Sequence, residues 1–380
     1  MLSSFSTTYT HRNTVHFVTD DDPRFKWLAS FHTSPDCRFF LVVDQKAWKL
    51  FGDTLTKALR HHRKEIFLFT VPSGEKGKSL ATYAALVDFL KERTCGLNDL
   101  LIGVGGGVVA DVASFTASTY MRALPLALIP TTLIASVDAS TAGKTCLNSG
   151  TTKNLLGTFY YPQWVYTNIN LLKTTTSYIT RQGLSEVFKY GLLGSRVLLS
   201  RLEAYASYPT DTLLRDVIDR TIRVRVRIRK KNPLASNLGH TFGHAIEKLS
   251  HFKILHGDAI TIGTVMALHF GVEEGITKKE TVSSIEKRMQ ALGLNCYLDA
   301  DLDTDTLVDE MMCDKKSSST KLNLVLLRDI AIPYETKGSF FYETDPRRVK
   351  MFLKRFKLAY PKQIHHCTAY IRNRNLSYTA

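Results

Sequence analysis

The sequence predicts an α/β domain built on a parallel sheet, followed by a second domain that is mostly α-helical. Three observations carry this expectation. At 380 residues the chain exceeds the size at which one hydrophobic core keeps growing, so two domains are expected. In the first half, short continuous apolar runs alternate with helical stretches, the pattern of strands covered on both faces. After about Lys173 the apolar residues recur at helical spacing instead. The expected boundaries are 1–175 and 176–358, with a basic tail over 359–380.

The elements follow in order. Arg38-Phe39-Phe40-Leu41-Val42-Val43-Asp44 is an apolar strand that ends in an acid. Glu65 to Val71 is a second strand, with Pro72-Ser73-Gly74 as its exit turn. Ser79 to Arg93 has helical spacing, and Asp99 to Val104 is a third strand that opens directly onto glycines. Leu126 to Pro130 and Trp164 to Thr167 read as further strands. The helical half contains Ser177–Leu193, Val197–Tyr205, Asp211–Lys231, Gly239–Leu249, His256–Gly271 and Lys278–Leu292. Beyond Leu358 no periodicity is evident, and a loosely ordered tail is expected.

Composition narrows the function classes. Hydrophobic content of 44% and charged content of 22% are those of a globular chain. No apolar run reaches the roughly 20 residues that cross a bilayer. Met1 to Thr10 lacks basic residues and no apolar stretch follows it, so it does not read as a secretory signal. Cys37, Cys95, Cys146, Cys296, Cys313 and Cys367 form no C-x-x-C pair, which fits a reducing cytoplasm. A net charge of +15, concentrated between Arg220 and Lys231 and from Arg347 to Lys362, would attract phosphate backbones nonspecifically. No nucleic-acid module accompanies it, so a basic surface that attracts a small anion is the better reading.

The chemistry is concentrated in a few blocks. Gly103-Val104-Gly105-Gly106-Gly107-Val108-Val109-Ala110-Asp111 follows a strand and precedes a helix. In that context glycines let backbone approach a pyrophosphate, and helix N-terminal amides complement its charge. The run is not G-x-G-x-x-G, and a tight turn would look the same. Asp44 either holds a ribose hydroxyl or forms a turn, and Glu75 and Lys78 either contact a nucleotide or cap the next helix. Between Pro130 and Thr145, small hydroxyl residues surround Asp138 and Lys144, as in the lining of a polar pocket. Lys153-Asn154 offers a cation and an amide to anionic oxygens.

His240 and His244 lie one helical turn apart, which suits either a zinc pair or a polar helix start. Glu186, His240 and His256 supply a Glu/His/His set that leaves metal positions open to substrate oxygens. A dinucleotide that takes hydride and an ion that holds hydroxyl oxygens together suggest oxidation of an alcohol. The lysines and asparagines between the blocks suggest that this alcohol also carries phosphate. His61, His62, His365 and His366 have basic or polar neighbours and read as surface residues.

Taken in order from about Phe39 to Ile332, these blocks resemble the 3-dehydroquinate synthase family of sugar phosphate cyclases. The resemblance implies a Rossmann-like N-terminal domain and an all-α C-terminal domain. It also implies NAD, one divalent ion (zinc or cobalt) and a homodimer. Glycerol dehydrogenases share the fold but do not typically carry the blocks seen here at Asp138 to Thr145 and Lys153-Asn154. By resemblance, Glu186, His240 and His256 are the metal ligands. Asp44, Glu75, Lys78, Gly106, Gly107, Val108, Asp111, Thr131, Thr132, Asp138, Lys153 and Thr174 contact NAD. Asp138, Lys144, Asn154, Lys189, Asn237, His244 and one of Lys315 or Lys316 surround a phosphorylated sugar acid. Arg122 resembles the arginine that reaches the partner subunit's phosphate site.

The implied reaction starts from 3-deoxy-arabino-heptulosonate 7-phosphate. Oxidation at C5 acidifies the neighbouring C–H and allows phosphate to leave; hydride then returns, the ring opens, and an aldol step closes the carbocycle. One departure bears on the substrate. The family has about six more residues before Asn237, with an arginine that holds the substrate carboxylate alongside an upstream lysine. Here Lys230-Lys231-Asn232-Pro233-Leu234-Ala235-Ser236 runs almost straight into Asn237, and the lysine position aligns with Arg225. Arg225, Arg229 or Lys230 is expected to supply that cation, the alternative being a solvated basic helix. A second departure is Thr141-Ala142-Gly143, where the family usually has Val-Gly-Gly.

Overall fold

The five runs read as strands pair side by side in one six-stranded sheet, seen in a computed structural model of the chain. The structure describes residues 16–20, 36–60, 65–150, 152–232, 235–294, 302–313, 320–336 and 338–359. The described residues divide into two compact units, one within Met1–Thr131 and Ala139–Asn168, the other within Thr132–Asp138 and Ile169–Ala380. His61, His62, Lys315, Lys316, Cys296 and the tail from 360 on, with His365, His366 and Cys367, lie outside the described residues.

In the first unit the strands are β1 (His16–Asp20), β2 (Phe39–Asp44), β3 (Ile66–Val71), β4 (Leu100–Gly105) and β5 (Leu126–Pro130). A hairpin follows, of β6 (Lys144–Ser149) and β7 (Thr152–Phe159), and then β8 (Trp164–Asn168). The main sheet has the order β1-β8-β5-β4-β2-β3, and every pairing in it is parallel. Helices α1 (Gln45–Arg60), α2 (Leu80–Glu92) and α3 (Gly107–Thr119) connect the strands.

Continuous apolar strands need cover on both faces, and they have it. Phe40, Val42, Leu101 and Leu128 share a core with Leu86 and Leu90 of α2 and Val109 and Ala113 of α3. Phe39, Leu41, Val43, Ile102 and Val104, which alternate to the opposite face, are also buried. β3 lies on one side of β2 and β4 on the other, so the strand order reverses between β2 and β4. The crevice beyond the carboxyl ends of strands at such a reversal is where parallel sheets take ligands. Asp44 and the Gly105–Gly107 turn stand at those two ends, since Val43 pairs with Val104.

The second unit contains α4 (Leu133–Val137), α5 (Ile169–Leu172), α6 (Ser177–Gly194), α7 (Arg196–Ser207) and α8 (Asp211–Lys231). It continues with α9 (His240–Leu249), α10 (His256–Glu273), α11 (Lys279–Ala291), α12 (Thr304–Met312) and α13 (Pro346–Ala359). Two small antiparallel pairs complete it: β9 (Leu322–Val325) with β12 (Phe341–Thr344), and β10 (Leu327–Asp329) with β11 (Ile332–Pro333). Thr176, Ser195 and Thr210 start α6, α7 and α8, each side chain accepting the amide three residues on. Among the described residues, no helix is long and apolar enough to cross a membrane.

Glycines let three of these helices meet backbone to backbone. A Cβ on Gly263 of α10 would lie 2.2 Å from the carbonyl oxygen of Gly239 and 2.8 Å from the nitrogen of Gly243, at the start of α9. A Cβ on Gly257 of α10 would lie 2.6 Å from both Cα and O of Gln182 in α6. Glu186, His240 and His256 are carried by these three helices. Gly263→Ala is therefore expected to force α9 and α10 apart and lower the unfolding free energy by about 1–3 kcal/mol or more. Urea denaturation should read this loss, whereas Glu280→Ala, an exposed position on α11, should change it by no more than about 0.5 kcal/mol.

Candidate active site

On the helical unit, Glu186, His240 and His256 come together. Glu186 Oε1 lies 3.6 Å from His256 Nε2 and 4.0 Å from His240 Nε2. Metal bonds of about 2.0–2.2 Å let one ion bridge donors up to roughly 4.2 Å apart, so the three atoms suit a single ion. The other ring nitrogens are already engaged. His240 Nδ1 faces the carbonyl of Leu238 at 3.0 Å, and His256 Nδ1 faces Glu247 Oε2 at 2.9 Å. Protons on both Nδ1 atoms leave the Nε2 lone pairs aimed at the carboxylate, the tautomer that metal ligands adopt.

Glu186 is fully buried, and among the described residues its Oε1 has no hydrogen-bond partner. Three electron-pair donors converging with no donor hydrogen among them call for a cation. Without one, a proton is the substitute. Burial works against a charged His256, but Glu247 and Glu186 outweigh it and hold the imidazole well above its ordinary range. Oxygen and two imidazoles suit zinc or cobalt. His244 is exposed, its ring 5.2 Å from that of His240 and 6.0 Å from that of His256.

The second carboxylate oxygen is balanced by the same helix. Lys189 Nζ donates to Glu186 Oε2 at 2.5 Å and lies 4.6 Å from the Tyr190 ring centroid. Burial disfavours the Lys189 ammonium, yet Glu186 raises its pKa and keeps it charged. Burial likewise pushes the Glu186 carboxyl up, but Lys189 and His256 reverse this and hold it below the ordinary value of 4.5. Beside this pair, Arg225 of α8 donates from Nε to the Tyr190 hydroxyl at 2.9 Å, and its Nη2 lies 3.2 Å from Asp138 Oδ1. Asn237, in the turn before α9, is buried and its Nδ2 has no partner among the described residues.

On the α/β unit, the α3 N-terminus has Gly106 as its cap residue and no side-chain cap. Its first amides are thus available to an anion. Gly103 and Gly105 serve packing, since a Cβ there would lie 2.9 Å from Leu128 Cδ2 and 2.6 Å from Val109 Cγ2. At Gly107 a Cβ would touch only Ala139 among the described residues, at 3.7 Å, so their packing does not require that glycine. Val108 is half-buried in the same turn.

Lys78 is buried, ion-paired with Asp111 of α3, and donates to Asn154 Oδ1 at 2.5 Å. Burial would discharge it, but Asp111 and its neighbours hold its pKa above the ordinary lysine range. Asn154 sits at φ +52° and its amide donates to Asn148 Oδ1 at 2.9 Å. Asn148 Nδ2 donates in turn to Glu75 Oε1 at 2.8 Å. Neither Glu75 nor Lys78 caps α2, because Ser79 does; together they tie the β6–β7 hairpin to the turn after β3. Lys153 is half-buried, 3.9 Å from Glu75, and Lys144 is exposed.

Other expected residues have evident local duties. Asp44 Oδ1 accepts the amides of Lys46 and Ala47 at the start of α1. The Thr131 amide donates to the Gly105 carbonyl, Thr132 caps α4, and Thr174 Oγ1 donates to the Leu171 carbonyl. Arg122 is exposed in a turn where it and Met121 both have positive φ, 69° and 48°. Glu247 was not anticipated, although it stands seven residues after His240 on the same helical face. The Tyr190–Asp138 side of Arg225 was also missed.

The sequence matches the family model described as 3-dehydroquinate synthase N-terminal over residues 68–182, and the corresponding C-terminal model over 183–317. A 3-dehydroquinate synthase from Desulforamulus reducens is 33% identical over 303 residues, covering 77% of this chain and 84% of the relative. This chain belongs to the 3-dehydroquinate synthase family. Solved structures of the same fold include a 2-epi-5-epi-valiolone synthase from Streptomyces hygroscopicus with NAD+ and Zn2+ bound, at TM-score 0.82 and 22% identity, covering 93% of this chain and all of that one (100%). A 2-deoxy-scyllo-inosose synthase complexed with carbaglucose-6-phosphate, NAD+ and Co2+ matches at TM-score 0.81 and 20% identity, over 89% of this chain and 96% of that one. The α/β domain followed by a helical domain is thus the 3-dehydroquinate synthase fold.

Glu186→Ala would leave the Lys189 ammonium buried without its counter-charge, at an expected cost of about 3–5 kcal/mol in the metal-free chain. Adding Lys189→Met should recover most of that loss in urea denaturation. The sign with pH follows from the lowered Glu186 pKa. Its contribution is full above the ordinary glutamate value and is lost as pH falls through the lower folded-state value. The stability gap between the parent chain and Glu186→Gln should therefore close on acidification.

Proposed function

We propose that this chain converts 3-deoxy-D-arabino-heptulosonate 7-phosphate to 3-dehydroquinate and phosphate, as the family name implies, with NAD and one zinc or cobalt ion. The observation that carries the reading is the orphaned, buried Glu186 Oε1 facing two imidazoles with their Nδ1 atoms engaged, in a chain matched by both family models. When bound, NAD would take a hydride from the substrate alcohol and later return it, and the ion would acidify that hydroxyl.

The chain's own residues supply placement and charge. Glu186, His240 and His256 would hold the ion, with Glu247 fixing the His256 ring. Lys189, kept protonated by Glu186, acts as fixed positive charge and not as a base. Asn237 offers its unpaired Nδ2 to a substrate oxygen. Lys144, Asn154, His244 and one of Lys315 or Lys316 would complete the contacts to phosphate and hydroxyls. Gly106, Gly107 and Val108 would meet the pyrophosphate. Asp44, Glu75, Lys78, Asp111, Thr131, Thr132, Asp138, Lys153 and Thr174 would surround the rest of NAD. Arg122, strained and exposed, would serve a partner subunit in a homodimer, and the location would be the cytoplasm.

The short segment before Asn237 favours a second reading, a sugar phosphate cyclase whose substrate lacks a carboxylate. Burial separates the three candidate cations: Arg225 is buried, Arg229 is half-buried and Lys230 is exposed. Arg225 beside Asp138 and Tyr190 is the one we assign to the carboxylate. Phosphate release tests both readings, with zinc and NAD supplied and either the heptulosonate phosphate or glucose 6-phosphate as substrate. Release from the heptulosonate without net NADH is expected. Release from glucose 6-phosphate alone would transfer the chain to the second reading, and release from neither would overturn the first and leave only the fold and cofactor claims standing. Arg225→Lys should raise KM for the heptulosonate about 10- to 100-fold, the loss of a charged hydrogen bond. An unchanged KM would remove Arg225 from the carboxylate site.

A further inference from the structure

His256 is the first residue of α10, a position whose backbone normally frays because first-turn amides lack intrahelical acceptors. The cap residue before it, Leu255, makes no side-chain cap hydrogen bond. α6 supplies the acceptor instead. Gln182 Oε1 accepts the backbone amide of Asp258 at 3.1 Å, and Gln182 Nε2 donates to Asp258 Oδ2, also at 3.1 Å. Both side chains are buried. One turn on, Ser185 Oγ donates to the Gly257 carbonyl at 2.6 Å, and the two backbones touch at Gly257. Arg181 Nη2, 3.3 Å from Asp258 Oδ2, balances the carboxylate charge.

Gln182, Ser185 and Glu186 fall at i, i+3 and i+4, on one face of α6. The face that presents Glu186 therefore also grips the turn that presents His256. We propose that Gln182 and Asp258 are positioning residues of the metal site: a helix cap supplied from a neighbouring helix, which fixes Glu186 Oε1 and His256 Nε2 at their 3.6 Å separation. The inference rests on Glu186, His240 and His256 being the metal ligands. A primary amide is suited to the task, because it accepts and donates at once and so satisfies both Asp258 groups in a single orientation. Without it the first turn of α10 is free to move, and an ion must order that turn before it can bind.

The test is zinc affinity by chelator competition, with the visible spectrum of the cobalt-loaded chain as a second readout. Gln182→Ala should bind zinc about 10- to 100-fold more weakly and alter the cobalt spectrum. Gln182→Glu alone sets two carboxylates face to face and should weaken binding too. Combined with Asp258→Asn it restores a donor opposite an acceptor, and affinity should return to within a few-fold of the parent. Ser195→Ala removes the α7 cap in the same unit and serves as the stability control. Should Gln182→Ala weaken zinc binding no more than Ser195→Ala does, or the double variant fail to recover, the positioning role is overturned. A parent chain that binds no zinc, or binds it equally well as His256→Ala, would instead overturn the metal reading itself.

Discussion

A carboxylate with no exposed surface governs the helical unit. Glu186 is held in a setting where an unpaired charge would be strongly unfavourable, and the residues around it exist in relation to that charge. Lys189, three residues on, neutralises one oxygen. The other oxygen faces imidazoles from two different helices. A buried ion pair contributes little net stability compared with a well-packed apolar pair. What this one provides is a fixed oxygen, already free of competing hydrogen bonds, at a defined distance from two nitrogens. The electrostatics favours a cation there before any substrate arrives, which is the condition for preorganised charge stabilisation.

Such distances demand helices closer than side chains ordinarily allow. Interaxial distances of 8–10 Å depend on what stands between, and here glycine stands at the contacts. Gly239, Gly243 and Gly263 remove the side chains between α9 and α10, and Gly257 removes one between α10 and α6. Gly239 also needs its positive φ of 75° at the start of α9, where another residue would be strained. The same close approach brings side chain to backbone: Ser185 reaches the Gly257 carbonyl and Gln182 the Asp258 amide. Packing, capping and ligand geometry are thus one arrangement seen at three scales, so a disturbance in one is felt in the others.

How much of this was legible depended on whether a residue's partner was near in sequence pattern. The parallel strands were, because Phe39–Val43 and Leu100–Val104 are apolar without interruption and only a doubly covered sheet accommodates that. The helices from Ser177 to Leu292 were, because their apolar residues recur at helical spacing, and α6, α7 and α8 also have hydroxyl caps. β1 was not: His16-Phe17-Val18-Thr19-Asp20 is five residues with little apolar content, and it is a strand because β8 offers its edge. The β6–β7 hairpin was not read as strands, and only its first two residues, Lys144 and Thr145, belong to the block that reads as a pocket lining. Its position is set by Lys78, Asn148 and Asn154, whose pairing is long-range. The proposed metal triad was visible as residue types in order, while the neighbouring Glu247 and Gln182 were not, since glutamate and glutamine on a helix are usually solvated.

The basic stretch of α8 shows how a helix sorts a charge run that composition leaves ambiguous. Arg223, Arg227 and Lys230 are exposed, and Arg220 pairs with Asp216. Arg225 does not belong with them. Leu214, Val217, Ile218, Thr221, Ile222 and Ile228 form the buried stripe, and Arg225 stands within it, where the period calls for an apolar residue. A guanidinium in that position is tolerated only with acceptors, and Tyr190 and Asp138 provide them. Tyr190 follows Lys189 directly, so the buried arginine is bonded to the residue next to the cation that balances Glu186. A planar fork of donors matches a carboxylate in a way that a point-charge ammonium does not. On the proposed function, this one arginine within the apolar stripe, and not the cations on the solvent face, would compensate for the shortened segment.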